Sequence, residues 1–203
     1  LLIIPQNWLG DIVMSQTLLK RVKLENPDTK IDILVNSTFK SLVERMPEIN
    51  KAIIFDCKHK ELGFSKRLSL AKKIKGNYDQ SIVLSRSIKS ALIPYLARIP
   101  IRTGELGESR YILINDLRKF TKDNRRKTAF RYASMFTKKE EVLDEKYYPS
   151  LKSDPEKIKI LSSKYKINLE KKIIIFAPGA AFGPSKMWPV EKFKELGEKL
   201  NKD

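Results

Sequence analysis

Residues 1–35 read LLIIPQNWLGDIVMSQTLLKRVKLENPDTKIDILV, and the order of patterns in them decides the fold. An apolar run from Leu1 to Pro5 is short enough for a buried strand. Residues 11–25 then place apolar side chains at spacings of three and four, which is a helical face, and residues 31–35 return to a short apolar run. A strand, an amphipathic helix and a second strand make a crossover unit, and such units build parallel sheets.

The same alternation continues outward. Residues 52–55, 81–84 and 99–103 read as further strands, while 38–45, 65–75 and 87–97 carry helical spacing. The expected fold class is therefore α/β, with an open, Rossmann-like parallel sheet. Ligands of such sheets bind beyond the carboxyl ends of the strands, so the loops after Pro5, Val35, Leu84 and Thr103 are the ones to read for chemistry. Residues 121–172 turn Lys- and Glu-rich, with Pro149 and Pro155 as punctuation and no clear strand, and read as the tail of a first domain and its linker. At 171–177 the text KKIIIFA predicts a new buried strand, followed by a Gly- and Pro-containing loop at 178–189 and a helix at 190–202 with Pro189 in its first turn. We expect domains at 1–165 and 166–203, the second stopping mid-fold because one strand and one helix cannot bury a sheet face.

Composition sets further bounds. Apolar residues make up 41% of the 203 positions, enough for a core. No apolar run approaches the roughly 20 residues that span a bilayer, and the start of the chain lacks a secretory signal pattern, so the expected location is cytoplasmic. Cys57 and His59 are the only cysteine and histidine, which argues against a disulfide framework and a zinc cage. The net charge of +17 suggests an acidic partner, such as nucleic acid, a phosphorylated sugar or an anionic membrane leaflet, or else only a lysine-rich composition spread over nearly every segment with no partner at all. Nucleic acid is not expected, because the basic residues are scattered, without interleaved aromatics or a recognisable binding motif.

Two loops could carry chemistry. The first, Gln6-Asn7-Trp8-Leu9-Gly10-Asp11, has one glycine where a dinucleotide fingerprint needs three, so neither a dinucleotide nor a similar cofactor is expected there. Asp11 stands at the start of the helix, where its carboxylate could accept a proton from a hydroxyl in the cleft or simply cap the helix. Trp8 could stack on a sugar or fill the core. The second loop holds Gly179 and Gly183, which admit close backbone approach, small Ala180 and Ala181, and Lys186, which can neutralise a phosphate. It reads as a phosphate cradle or a plain connection, and it lacks the Gly-Lys-Ser/Thr ending of a Walker loop.

Taken together, NWLGDIVMSQTLL at 7–19, SRSIKSALIPYLARIPIRTGELGESRYILIND at 85–116 and FAPGAAFGPSKMWP at 176–189 resemble the heptosyltransferases of glycosyltransferase family 9. The similarity runs in one order through most of the chain. It implies the GT-B architecture of two Rossmann-like domains, with an acceptor-binding domain at 1–165 and the start of a nucleotide-sugar-binding domain at 166–203. The reaction implied is inverting transfer of heptose from ADP-heptose to the heptosyl-Kdo2-lipid A inner core of lipopolysaccharide; the alternatives are a related family-9 heptosyltransferase acting at another core position and, from a different class, a non-catalytic basic module that binds an anion or a membrane. Asp11 matches the family's general base and Lys186 its donor-phosphate lysine. Relatives of one type carry threonines where this chain has Ala181 and Phe182, so backbone amides of the loop around Gly179, Ala180, Ala181 and Phe182 would serve the donor instead. No cofactor or metal is implied. An acidic acceptor calls for Asn7, Trp8, Arg86, Lys89, Arg102 and Arg110 near the strand ends, where each of the four charged side chains could equally be an ordinary solvated surface charge. Lys58, Lys60, Lys66 and Arg67 could meet that acceptor or the anionic membrane that displays it.

Overall fold

The computed structural model describes residues 1–57, 61–120, 127–137, 145–180 and 183–200. The chain forms two compact units, Leu1–Ser153 and Asp154–Asp203.

The first unit is a six-stranded sheet in the order β3-β2-β1-β4-β5-β6, every pairing parallel. Its strands are β1 (Leu2–Ile4), β2 (Ile31–Val35), β3 (Ile49–Ile54), β4 (Gln80–Val83), β5 (Ile101–Glu105) and β6 (Asp116–Arg118). Helices α1 (Leu9–Glu25), α2 (Lys40–Val43), α3 (Phe64–Ile74), α4 (Ile88–Leu96) and α5 (Thr128–Ala133) cover it. This is the Rossmann order, whose reversal falls between β1 and β4.

Alternation along the central strands builds one core on each face. Ile3, Ile31, Ile33, Val35 and Ile82 pack against Ile12, Leu18, Leu19 and Val22 of α1 and Tyr132 of α5. Leu2, Ile4, Leu34 and Val83 point the other way, onto Ala71 and Ile74 of α3 and Ala91 and Ile93 of α4. Burial on both faces explains why these strands are continuous apolar runs. The edges are blunted as an edge must be: β3 exposes Asn50 and Lys51, and β6 is three residues long with two charged.

Five of the strands lie where the sequence places them, within two or three residues at each end. β6 was not foreseen, because Asp-Leu-Arg carries no apolar run; it is recruited by Thr103 of β5, whose Oγ1 donates to Asp116 Oδ2 at 2.7 Å. The helix expected at 38–45 is a 3-10 turn, Ser37–Phe39, followed by the single turn α2.

In the second unit Asp154 caps α6 (Pro155–Lys164), its carboxylate accepting from Lys157 N at 3.1 Å with Pro155 in the first turn. This helix, read from sequence as the tail of the first domain, lies beyond the point where the units divide. The strand expected at 171–177 does not form: Ile175 is 84% exposed, and no residue between 171 and 180 pairs in a sheet. An apolar run becomes a strand only beside another strand, and none lies among the described residues of this unit. After a 3-10 turn at Pro184–Lys186, α7 (Val190–Leu200) begins one residue past Pro189 and sets Phe193 against Trp188 and Phe176, with ring centroids 4.7 and 5.5 Å apart.

Candidate functional site

The carboxyl ends of the strands are organised around α1. Trp8, extended and without a side-chain cap bond, opens the helix, and Asp11 sits in its first turn, where the helix dipole favours a carboxylate. Asp11 is therefore not the capping residue. Its Oδ1 accepts a hydrogen bond from the Tyr132 hydroxyl at 2.6 Å, and that same hydroxyl accepts from Gln6 Nε2 at 3.0 Å. Tyr132 is fully buried on α5, and burial, followed by the hydrogen bond to Asp11, pushes its phenol well above its ordinary range. The phenol stays protonated and remains a donor. Neither Tyr132 nor Gln6 was foreseen; Tyr132 lies in Lys- and Arg-rich text with no motif around it.

The helix pair that makes this contact is tied a second time, by Thr17 Oγ1 donating to Ala129 O at 3.0 Å. On the other side of α1, buried Gln16 donates to Ser150 O and Glu48 Oε2 and accepts from Ser150 N. α1 is thus clamped between the sheet, α5 and the segment around Ser150.

Beside it, on the face of α3 and α4, a cleft of about 450 Å³ opens between the ends of β1, β2 and β4. Ile4, Leu34 and Ile93 form its apolar floor, and Asn7, Asn36, Ser85, Ser87, Lys89 and Arg67 supply polar groups. This size and mixture suit a small polar ligand. Arg67 is nearly buried, lies 4.9 Å from the centre of the Phe55 ring, and donates to Leu62 O at 2.7 Å and Lys89 O at 2.8 Å. Burial pulls its guanidinium below the usual range, offset by neighbouring Cys57.

Of the expected acceptor residues, the structure brings Asn7 and Lys89 into this cleft. Lys89 Nζ reaches Glu61 O at 3.3 Å on its rim. Trp8 is half exposed rather than a core residue. Arg86 spans from the loop after β4 to Leu106 O at 3.2 Å. Arg110 is buried and serves the protein itself, donating to Glu105 O, Ser87 O and the Ser90 hydroxyl; it locks the loop after β5 onto the start of α4. Burial lowers its pKa, against the pull of Glu105 and Glu108. Arg102 lies at the amino-terminal half of β5, away from the strand ends. Its guanidinium is committed to the carbonyls of Ile99 and Leu113 at 2.7 and 2.8 Å. Parallel strands put ligands at one end only, and Arg102 occupies the other.

In the second unit Gly179 and Ala180 lie in an open loop, and Lys186 ends the 3-10 turn that Gly183 begins with φ +71°. Ala181 and Phe182 are outside the described residues, as are Lys58 and Lys60. Among the described residues no cluster of His, Cys, Asp and Glu could hold a metal ion, and no helix is long and apolar enough to cross a membrane.

Known proteins are similar to this chain in sequence and in fold. Lipooligosaccharide heptosyltransferase 2 of Haemophilus influenzae is 38% identical over 98% of this chain, and lipopolysaccharide heptosyltransferase 2 of Salmonella typhimurium is 35% identical over the same share; the chain spans 60% of either relative's length. The solved structure of ADP-heptose lps heptosyltransferase II from E. coli superposes with a TM-score of 0.83 at 32% identity, covering 99% of this chain and 61% of that one. The family model described as glycosyltransferase family 9 (heptosyltransferase) matches residues 67–203. On that match and the shared architecture, the chain belongs to glycosyltransferase family 9.

Proposed function

We propose that the complete protein, of which this chain spans 60% of its relatives' length, transfers heptose from ADP-L-glycero-D-manno-heptose to the heptosyl-Kdo inner core of lipopolysaccharide with inversion. The observation that carries the reading is the carboxylate of Asp11. It stands at the carboxyl end of β1, not spent on capping, with Oδ1 held by Tyr132 and no described residue donating to Oδ2. Oδ2 would take the proton from an acceptor hydroxyl as the oxygen attacks the anomeric carbon. The bond to ADP breaks on the opposite face. Lys186 and the amides around Gly179 and Ala180 would stabilise charge on the departing diphosphate, so the reaction needs no metal. The cleft holding Asn7 and Lys89 would take acidic groups of the acceptor, and the net charge of +17 supports work at the cytoplasmic face of an anionic membrane.

The test is transfer by the complete protein from ADP-heptose to heptosyl-Kdo2-lipid A in EDTA. Asp11→Asn should lower kcat by about a hundred to ten thousand fold, the usual worth of a general base. Lys186→Ala should raise the KM for ADP-heptose. Absence of transfer by the wild type would remove the assignment, and full activity of Asp11→Asn would remove the base.

A further inference from the structure

We infer that Tyr132 and Gln6 form a positioning relay that fixes which oxygen of Asp11 faces the substrate, an inference that rests on Asp11 acting as the base. The argument begins with proton counting. A phenol has one proton to donate. The Gln6 amide can only donate through Nε2, so at 3.0 Å it occupies a lone pair of the Tyr132 oxygen and leaves the phenol proton no use there. That proton goes to Asp11 Oδ1, 2.6 Å away. Direction is thus fixed along the line from Gln6 to Tyr132 to Asp11.

The consequence is an asymmetric carboxylate. With Oδ1 tied to a group rooted in the core, rotation of the carboxylate is stopped and Oδ2 is left for the acceptor. Tyr132 is itself held firmly: its ring is fully buried against the core of α1 and the sheet. The charged groups that face the pair are few. Arg131, on the same helix as Tyr132, lies with its guanidinium 5.5 Å from the centre of the Tyr132 ring, and its Nε is 3.6 Å from buried Glu105 of β5. From α1 the group presented is Asp11, and from the loop after β1 it is the neutral Gln6. Tyr132 touches Asp11 and not the reacting atoms, so it is a positioning residue.

Tyr132→Phe keeps the ring and its packing and removes only the hydroxyl, so it separates positioning from folding. In the complete protein, assayed beside Asp11→Asn, we expect Tyr132→Phe to lower kcat by roughly tenfold to hundredfold with the KM for ADP-heptose unchanged. The loss should appear in kcat while the circular dichroism spectrum at the assay temperature stays that of the wild type, because the ring packing is kept. Gln6→Met, which keeps length but cannot donate, should lower kcat to a smaller degree, again with KM unchanged. A merely structural tyrosine would lower activity only in step with the folded fraction, leaving kcat per folded molecule unchanged. If Asp11→Asn is inactive while Tyr132→Phe keeps the wild-type kcat, the relay is overturned and the base stands. If Asp11→Asn is fully active, the base itself falls and the relay with it.

Discussion

Two tyrosines in the first unit each give a short hydrogen bond to a carboxylate: Tyr132 to Asp11, and Tyr78 to Asp32 Oδ2 at 2.6 Å. In both, burial is the larger reason that the phenol resists ionisation, and the carboxylate adds to it. In the unfolded chain a phenol ionises near pH 10. Above that pH the unfolded chain binds fewer protons than the folded one, so stability is complete below about pH 10 and falls as pH rises beyond it. The slope should be about 1.4 kcal/mol per pH unit for each such tyrosine. Urea unfolding of the complete protein between about pH 9 and 11 checks this, and Tyr78→Phe should remove one tyrosine's share of the slope. At this scale the sequence was informative about Asp11, whose place after a strand marks it, and silent about Tyr132. A residue that acts from 121 positions away, with no motif of its own, leaves no local trace. Arg102 and Arg110 show the reverse difficulty. Both were read as surface charges for a ligand, whereas backbone carbonyls claim them, and only the folded chain brings those carbonyls within reach.

Among the elements, α1 has the most demanding surroundings. Its buried face is not wholly apolar: Ser15, Gln16, Thr17 and Arg21 are all buried, because the helix is covered by polar backbone from the Ser150 segment as well as by the sheet. Gln16→Leu should therefore cost about 2–4 kcal/mol despite adding apolar surface, since it strands the N–H and C=O of Ser150 and leaves Glu48 without its donor. The shift in urea midpoint measures it; an unchanged midpoint would mean water replaces all three bonds. The alternation of apolar runs with helical spacing made β1 to β5 and most of their helices legible, most clearly at β1, β2 and β4, whose burial on both faces calls for apolar runs. It failed at both margins of that rule. β6 pairs at an edge without being apolar, and the isoleucines at 173–175 are apolar without a neighbour to pair with.

Taken whole, the molecule is uneven in what it buries. Every fully buried apolar side chain among the described residues belongs to Leu1–Ser153, while Asp154–Asp203 relies on the small cluster of Phe176, Trp188 and Phe193. A polypeptide of residues 1–153 should unfold cooperatively in urea by circular dichroism, and one of 154–203 should show only gradual loss of helix. A sharp transition in the shorter piece would contradict this. The contact between Asp11 and Tyr132 also has a meaning in time. A ribosome adding residues at its usual rate releases Tyr132 roughly six to twenty-four seconds after Asp11. Through that interval the nascent chain carries the Asp11 carboxylate without the hydroxyl that ties its Oδ1, and the contact is made only when α5 docks on α1. A product abandoned before that point lacks the tie altogether, although all six strands of the sheet are already complete at Arg118.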